Sequence, residues 1–366
     1  MNITTSNILL RPIAFILVGV LLVSSFGFTA DGWQIEKNGK NQSANTDINP
    51  PTIELPTIND ATNTEKPTIK IPDYVNYLTG LETTEELHNI RPVAVLMNSN
   101  TANYGICNAD ILCELPTENG TTNFLSIISN TDNLWKIGSI ANGRDYISNI
   151  SKFFGATMIS DKNIDNTAYD HCDISGESLD ISTHSGYFYT EYSNYLYTNA
   201  EMLNKGLSES LPDLHVNKKI PYQFNDYLSD QIKGDVLSNK ISINYSQFSS
   251  TELIYDDVKS EYTLYKNGNQ KNDALNGKAP SFANCFILFA DSATYDNSNG
   301  TRLVMNTIGS GDGYYFTNGT VIKIKWFSDI SGTFSITLVD GSPLIINRGS
   351  SYIGYVKSSA KSQVTF

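Results

Sequence analysis

The sequence predicts an α+β protein, with a mixed-sheet α/β N-terminal part joined to a C-terminal, mostly antiparallel β part. Three observations carry this. Between Arg91 and Ser160, apolar runs of strand length alternate with one stretch of helical period. From about Ile241 onward, strand-like runs are punctuated by Asn267-Gly268, Asn276-Gly277, Asn318-Gly319 and Asp340-Gly341, the turn dipeptides of an antiparallel meander. Finally, Gly309 to Asp329 reads as one hairpin. Its glycines 309, 311 and 313 set a tight path, Tyr314, Tyr315 and Phe316 form a strand, and Asn318-Gly319 makes a two-residue turn. Ile322, Ile324 and Trp326 then alternate with Lys323 and Lys325.

Taken in order, residues 1–30 hold an uncharged apolar run, Pro12 to Phe28, preceded by Arg11. This run reads as a single-pass membrane anchor, with a cleaved signal as the alternative. Phe28 suits poorly the position three before a cut after Ala30, and no cysteine near the run's end could carry lipid, so the anchor is favoured. Residues 31–72 are rich in Asn, Thr and Pro, and Pro50, Pro51, Pro56, Pro67 and Pro72 block regular structure. They form a stalk. The rest of the chain is therefore expected on an extracytoplasmic face.

An N-terminal domain is expected over 73–215. Val93 to Met97, Ala109 to Leu115, Asn123 to Ser129 and Ala156 to Ser160 read as strands, with Glu118-Asn119-Gly120 as a turn. Arg144 to Phe154 places Ile147, Ile150 and Phe154 on one helical face, with Asp145 as N-cap. Ala200 to Lys205 begins a second helix. Tyrosines 187, 189, 192, 195 and 197 crowd one section and offer either a sugar-stacking surface or half-buried structure. A C-terminal β domain is expected over 216–366, with strands at 241–245, 252–255, 262–265, 282–289, 303–308, the hairpin, 334–339 and 344–346.

Composition narrows the function. The 366 residues carry a net charge of −13, and only 17% are charged. Without a basic cluster, nucleic acid is excluded as a partner, because that binding depends on Lys and Arg releasing counterions. Asp170-His171-Cys172-Asp173 resembles a metal cluster, yet four adjacent residues cannot all face one ion, so neither a metal nor a cofactor is expected. His184 with Asp180 lacks any nucleophile-elbow pattern. Four cysteines permit one or two disulfides, although Cys113 and Cys285 lie in apolar strands and read as buried thiols.

Several motifs together resemble the YerB-like lipoprotein family, a bacterial domain of unknown function in two parts. They are Arg91-Pro92-Val93-Ala94-Val95 with Asn98, Ala109-Asp110-Ile111 with Glu114, Glu118 with Gly120, Lys136-Ile137-Gly138, Arg144 with Tyr146, Leu196-Tyr197-Thr198, and GSGDGYYFTNG. The resemblance spans Tyr74 to Lys357 and implies an extracytoplasmic α/β part joined to a β part. It also implies arginines where this chain has Asn123 and Ala141, histidines at Ser160, Asn194 and Lys271, and a lysine at Asp312. With those groups gone, a non-catalytic envelope module is expected. Its ligand cleft would use Arg144, Glu118, Asp110, Tyr146 and Tyr314, the arginine fork gripping a carboxylate-bearing ligand. A cell-wall component or an envelope protein is the expected partner. The competing classes are a wall-polymer enzyme using Glu118 with Asp110 or Glu114 as paired carboxylates, and a protein–protein adaptor.

Overall fold

The computed structural model describes residues 71–161, 178–180, 185–191, 195–210, 220–297 and 300–366. The run Pro12 to Phe28, the linker up to residue 70, Asp170 to Asp173 and His184 lie outside them. Among the described residues no helix is long and apolar enough to cross a membrane. Glu65–Phe366 forms one compact unit.

Its centre is a large mixed sheet. The apolar strand Val93–Asn98 pairs antiparallel with Thr122–Ile128, which pairs antiparallel with Ile111–Pro116. On its other edge Val93–Asn98 takes Thr157–Ser160 in parallel and touches Ile137–Ile140 at Met97. From the C-terminal part come Asn284–Ala290, Gly309–Thr317, Thr320–Ser328 and Phe334–Leu338. The two sets are joined by Ser351–Lys357, which lies parallel to both Ile111–Pro116 and Asn284–Ala290.

Alternation along these strands builds two cores. Val93, Val95, Met97, Leu112, Phe124 and Cys285 face a smaller antiparallel sheet through Ile241, Leu253, Tyr262 and Leu264. Ala94, Leu96, Ile111, Cys113 and Leu125 face the helix Asp145–Phe153 through Ile147, Ile150 and Phe153. Because both faces are covered, the strands read as unbroken apolar runs. The fold is β-rich, with the α+β character resting on few helices. Cys113 and Cys285 occupy opposite cores, and they and Cys107 are free thiols.

Two local expectations are corrected. Arg144, with extended backbone, occupies the N-cap position, and Asp145 opens the first turn. The glycines 309, 311 and 313, expected to set a tight path, lie inside a regular nine-residue strand paired from Gly309↔Ser328 to Thr317↔Thr320. A Cβ at Gly311 would sit 2.6 Å from the Trp326 Nε1, which donates to the Phe289 carbonyl at 3.0 Å. Glycine here makes room for an indole. The Asn318-Gly319 turn forms as expected, with φ of 48° and 66°.

Candidate functional site

The strands Ile111–Pro116 and Thr122–Ile128 are joined by a turn closed by Thr117 N–H donating to the Thr121 carbonyl at 2.8 Å. Gly120 supplies its positive φ of 71°. This turn presents Glu118 to Arg144 at the start of the helix. Arg144 Nε donates to Glu118 Oε1 at 2.8 Å and Nη2 to Oε2 at 3.2 Å, while Nη1 donates to the carbonyls of Asn142 and Gly143. The two side chains are only 15% and 7% exposed. The fork expected to grip a ligand carboxylate is thus already filled by Glu118.

Around this pair opens a cavity of about 370 Å³. Asn98, Asn119, Asn123 and Asn142 line it, with Asp161 and the exposed ring of Tyr195. Asn98 and Asn123 are register partners on neighbouring strands. Asn123 and Ala141, where the resemblance implies arginines, line the same cavity, which here carries amides in place of that charge.

The other expected site residues are placed differently. Tyr146 is buried, braces the turn by donating to the Pro116 carbonyl at 2.9 Å, and has its phenol pushed up by burial. Asp110 does not line this cavity. Its carboxylate accepts from Asn76 Nδ2 at 2.7 Å and from Ser129 N and Oγ at 2.7 and 2.6 Å, and burial raises its pKa against those bonds. Tyr314 packs edge-on against Phe289 and Phe366 and also lies outside it. Tyr197 and Tyr104 face the Lys136 ammonium at 3.9 and 4.2 Å, so this part of the tyrosine-rich section holds an internal cation.

Glu114, one candidate for a carboxylate pair, is wholly buried. Its Oε1 accepts from Thr122 Oγ1 and Lys266 Nζ, both at 2.5 Å, and its Oε2 from Tyr352 OH at 2.6 Å and Thr251 Oγ1 at 2.8 Å. Lys266 also donates to Ser249 and Thr251. Nearby, Lys271 Nζ donates to the carbonyls of Ser99 at 2.8 Å and Thr101 at 2.7 Å, fixing the loop after Asn98. Burial, and secondarily Lys266, pushes Lys271 down to about 8. Sequence reasoning passed over Lys266, although a signal existed. In the strand Glu261–Lys266 it shares the buried phase with Tyr262 and Leu264, and a lysine there needs a buried acceptor. Among the described residues no group of three or more His, Cys, Asp or Glu could hold a metal ion.

Two parts of one family match this chain. The "Protein of unknown function (DUF3048) N-terminal domain" covers residues 78–213, and the corresponding C-terminal domain covers residues 241–353. The chain belongs to the DUF3048 family. A Bacillus subtilis (strain 168) protein named "Putative lipoprotein YerB" is 24% identical over 294 residues, covering 76% of this chain and 85% of its own length. The crystal structure of YerB protein from Bacillus subtilis superposes with a TM-score of 0.67 at 22% identity, covering 80% of this chain and 98% of that one. This likeness shows the fold. In DUF3048 terms, the Arg144 cavity lies in the N-terminal match, and the Glu114–Lys266 pair ties that match to the C-terminal one.

Proposed function

We propose that this chain is a binding module of the cell envelope that holds a neutral, hydroxyl-rich ligand of the glycan class in the Arg144 cavity. The observation that carries this reading is a wall of four asparagines around an ion pair satisfied within the fold. Each amide both donates and accepts, which suits neighbouring hydroxyls. Tyr195 adds an exposed ring whose face suits a sugar's apolar side. With Arg144 spent on Glu118, and with −13 on the whole chain, a polyanionic ligand is disfavoured.

Binding without turnover is supported by the carboxylates. Asp110, Glu114 and Glu118 are each committed to partners inside the fold, whereas glycoside cleavage needs two carboxyl groups flanking the scissile bond. An extracytoplasmic setting is supported by the apolar run Pro12 to Phe28, the Asn/Thr/Pro-rich linker and the similarity to a protein named as a lipoprotein. In this reading the apolar run is the tether, as a single-pass helix.

Co-sedimentation with isolated cell-wall sacculi tests it. The compact unit from Glu65 onward is expected to pellet with sacculi. Asn119→Ala and Asn142→Ala, folded by circular dichroism, are expected to stay in the supernatant. Equal pelleting of parent and variants overturns the assignment to this cavity.

A further inference from the structure

A second cavity, of about 820 Å³, lies beside the first. Asn244, Gln247, Ser249, Asn267 and Gln363 line it with Tyr245 and Phe248, and among its described lining residues none is charged. Phe248 is 62% exposed although it is a large apolar ring. An aromatic face kept in water beside amides and hydroxyls is what a sugar ring packs against. Below it the wall is tied into the buried Lys266 network. Ser249 accepts from the buried Lys266 at 2.8 Å, and the Tyr245 OH lies 3.4 Å from that of Tyr352.

One turn separates the two cavities. Thr117, Glu118, Asn119 and Thr121 line the first. Gly120 of the same turn accepts a hydrogen bond at its carbonyl from Ser246 Oγ, and a Cβ at Gly120 would stand 3.6 Å from the Phe248 ring. Ser246 and Phe248 line the second cavity. The divider is therefore a single glycine-bearing turn, with amide and hydroxyl groups and one exposed aromatic ring on each side, Tyr195 and Phe248.

We propose that the two cavities are consecutive subsites for one linear, uncharged glycan strand that crosses the turn at Gly120, with Phe248 as the stacking platform of the second. This deepens, and rests on, the reading of the Arg144 cavity as a glycan site. Linking two weak subsites through one strand makes the second contact intramolecular, so affinity should climb with ligand length.

The test is calorimetric titration of the full-length chain with N-acetylglucosamine oligomers, a disaccharide and a hexasaccharide, against Phe248→Ala and Gln247→Ala. Both variants alter exposed side chains and leave the core intact. The hexasaccharide is expected to bind the parent at least ten-fold more tightly than the disaccharide. Phe248→Ala should weaken hexasaccharide binding roughly five-fold and narrow the affinity gap between the two oligomers. Length-independent affinity, or hexasaccharide binding unaltered by both variants, overturns the second subsite and leaves the first standing. If neither oligomer binds the parent, both readings fall together.

Discussion

Glu114 and Lys266, 152 residues apart in sequence, meet at 2.5 Å with their side chains 0% and 4% exposed. Thr122, Thr251, Ser249 and Tyr352 satisfy the atoms the pair leaves over, so neither charge is short of partners. Removing one partner strands the other charge away from water. Lys266→Met is therefore expected to cost about 3–5 kcal/mol in urea unfolding, and Glu114→Gln/Lys266→Met to recover part of it, since no charge is then buried alone. A single-variant loss no larger than the double-variant loss contradicts this.

Lys271 makes the fold's stability pH-dependent in a definite direction. Its native pKa of about 8 lies below a lysine's ordinary 10.5, with desolvation the first cause. Between these values the unfolded chain holds the proton that the native chain has released. Stability from this residue therefore rises as pH climbs from about 8 to about 10.5, and below that window the full cost of the buried charge is present. A neutral amine keeps two N–H donors for the carbonyls of Ser99 and Thr101. The stability difference between the parent and Lys271→Met, from urea titrations, should shift toward the parent across the window and stay flat at lower pH.

Gly311 and Gly186 give a matched pair. Gly311→Ala forces a methyl against the Trp326 indole and the strand beside it, whereas among the described residues nothing lies within 4 Å of a Cβ at Gly186. The first is expected to lower stability by about 2 kcal/mol or more, as overpacking does. The second should stay within about 0.5 kcal/mol. Thermal melts of both variants decide the comparison.

The Arg144 fork cannot be replaced by a point charge. Lysine lacks the planar pair of donors that meets both Glu118 oxygens. Arg144→Lys is expected to cost about 2 kcal/mol, the range of hydrogen bonds to charged groups. Loss of sacculus binding should accompany it, because the turn carrying Asn119 loses its anchor. Unchanged stability on chemical denaturation contradicts the bracing role.

Much of the fold was legible where one period dominated. Val93 to Met97, the hairpin turn at Asn318-Gly319 and the face Ile147, Ile150 and Phe154 announced themselves, because both the local pattern and the burial point the same way. Ser351–Lys357 was missed, although it joins the two halves of the sheet. Gly354 interrupts its apolar run, and the reason for that glycine, close approach to Ile287 and to the Tyr245 hydroxyl, is tertiary. The site was legible in part. Arg144 and Glu118 do meet, but their mutual saturation depends on the geometry of the turn. The asparagines gathered from Asn98, Asn119, Asn123 and Asn142 come from separate elements that only the folded sheet brings together.

The most direct test of the glycan-binding account is an NMR titration of asparagine-selectively ¹⁵N-labelled protein with an N-acetylglucosamine hexasaccharide. The account expects saturable shifts in the side-chain amides of Asn98, Asn119, Asn123 and Asn142, with Asn76, which is held by Asp110 outside the cavity, unmoved. Shifts that bypass those four amides, or no shifts at millimolar oligomer, contradict it.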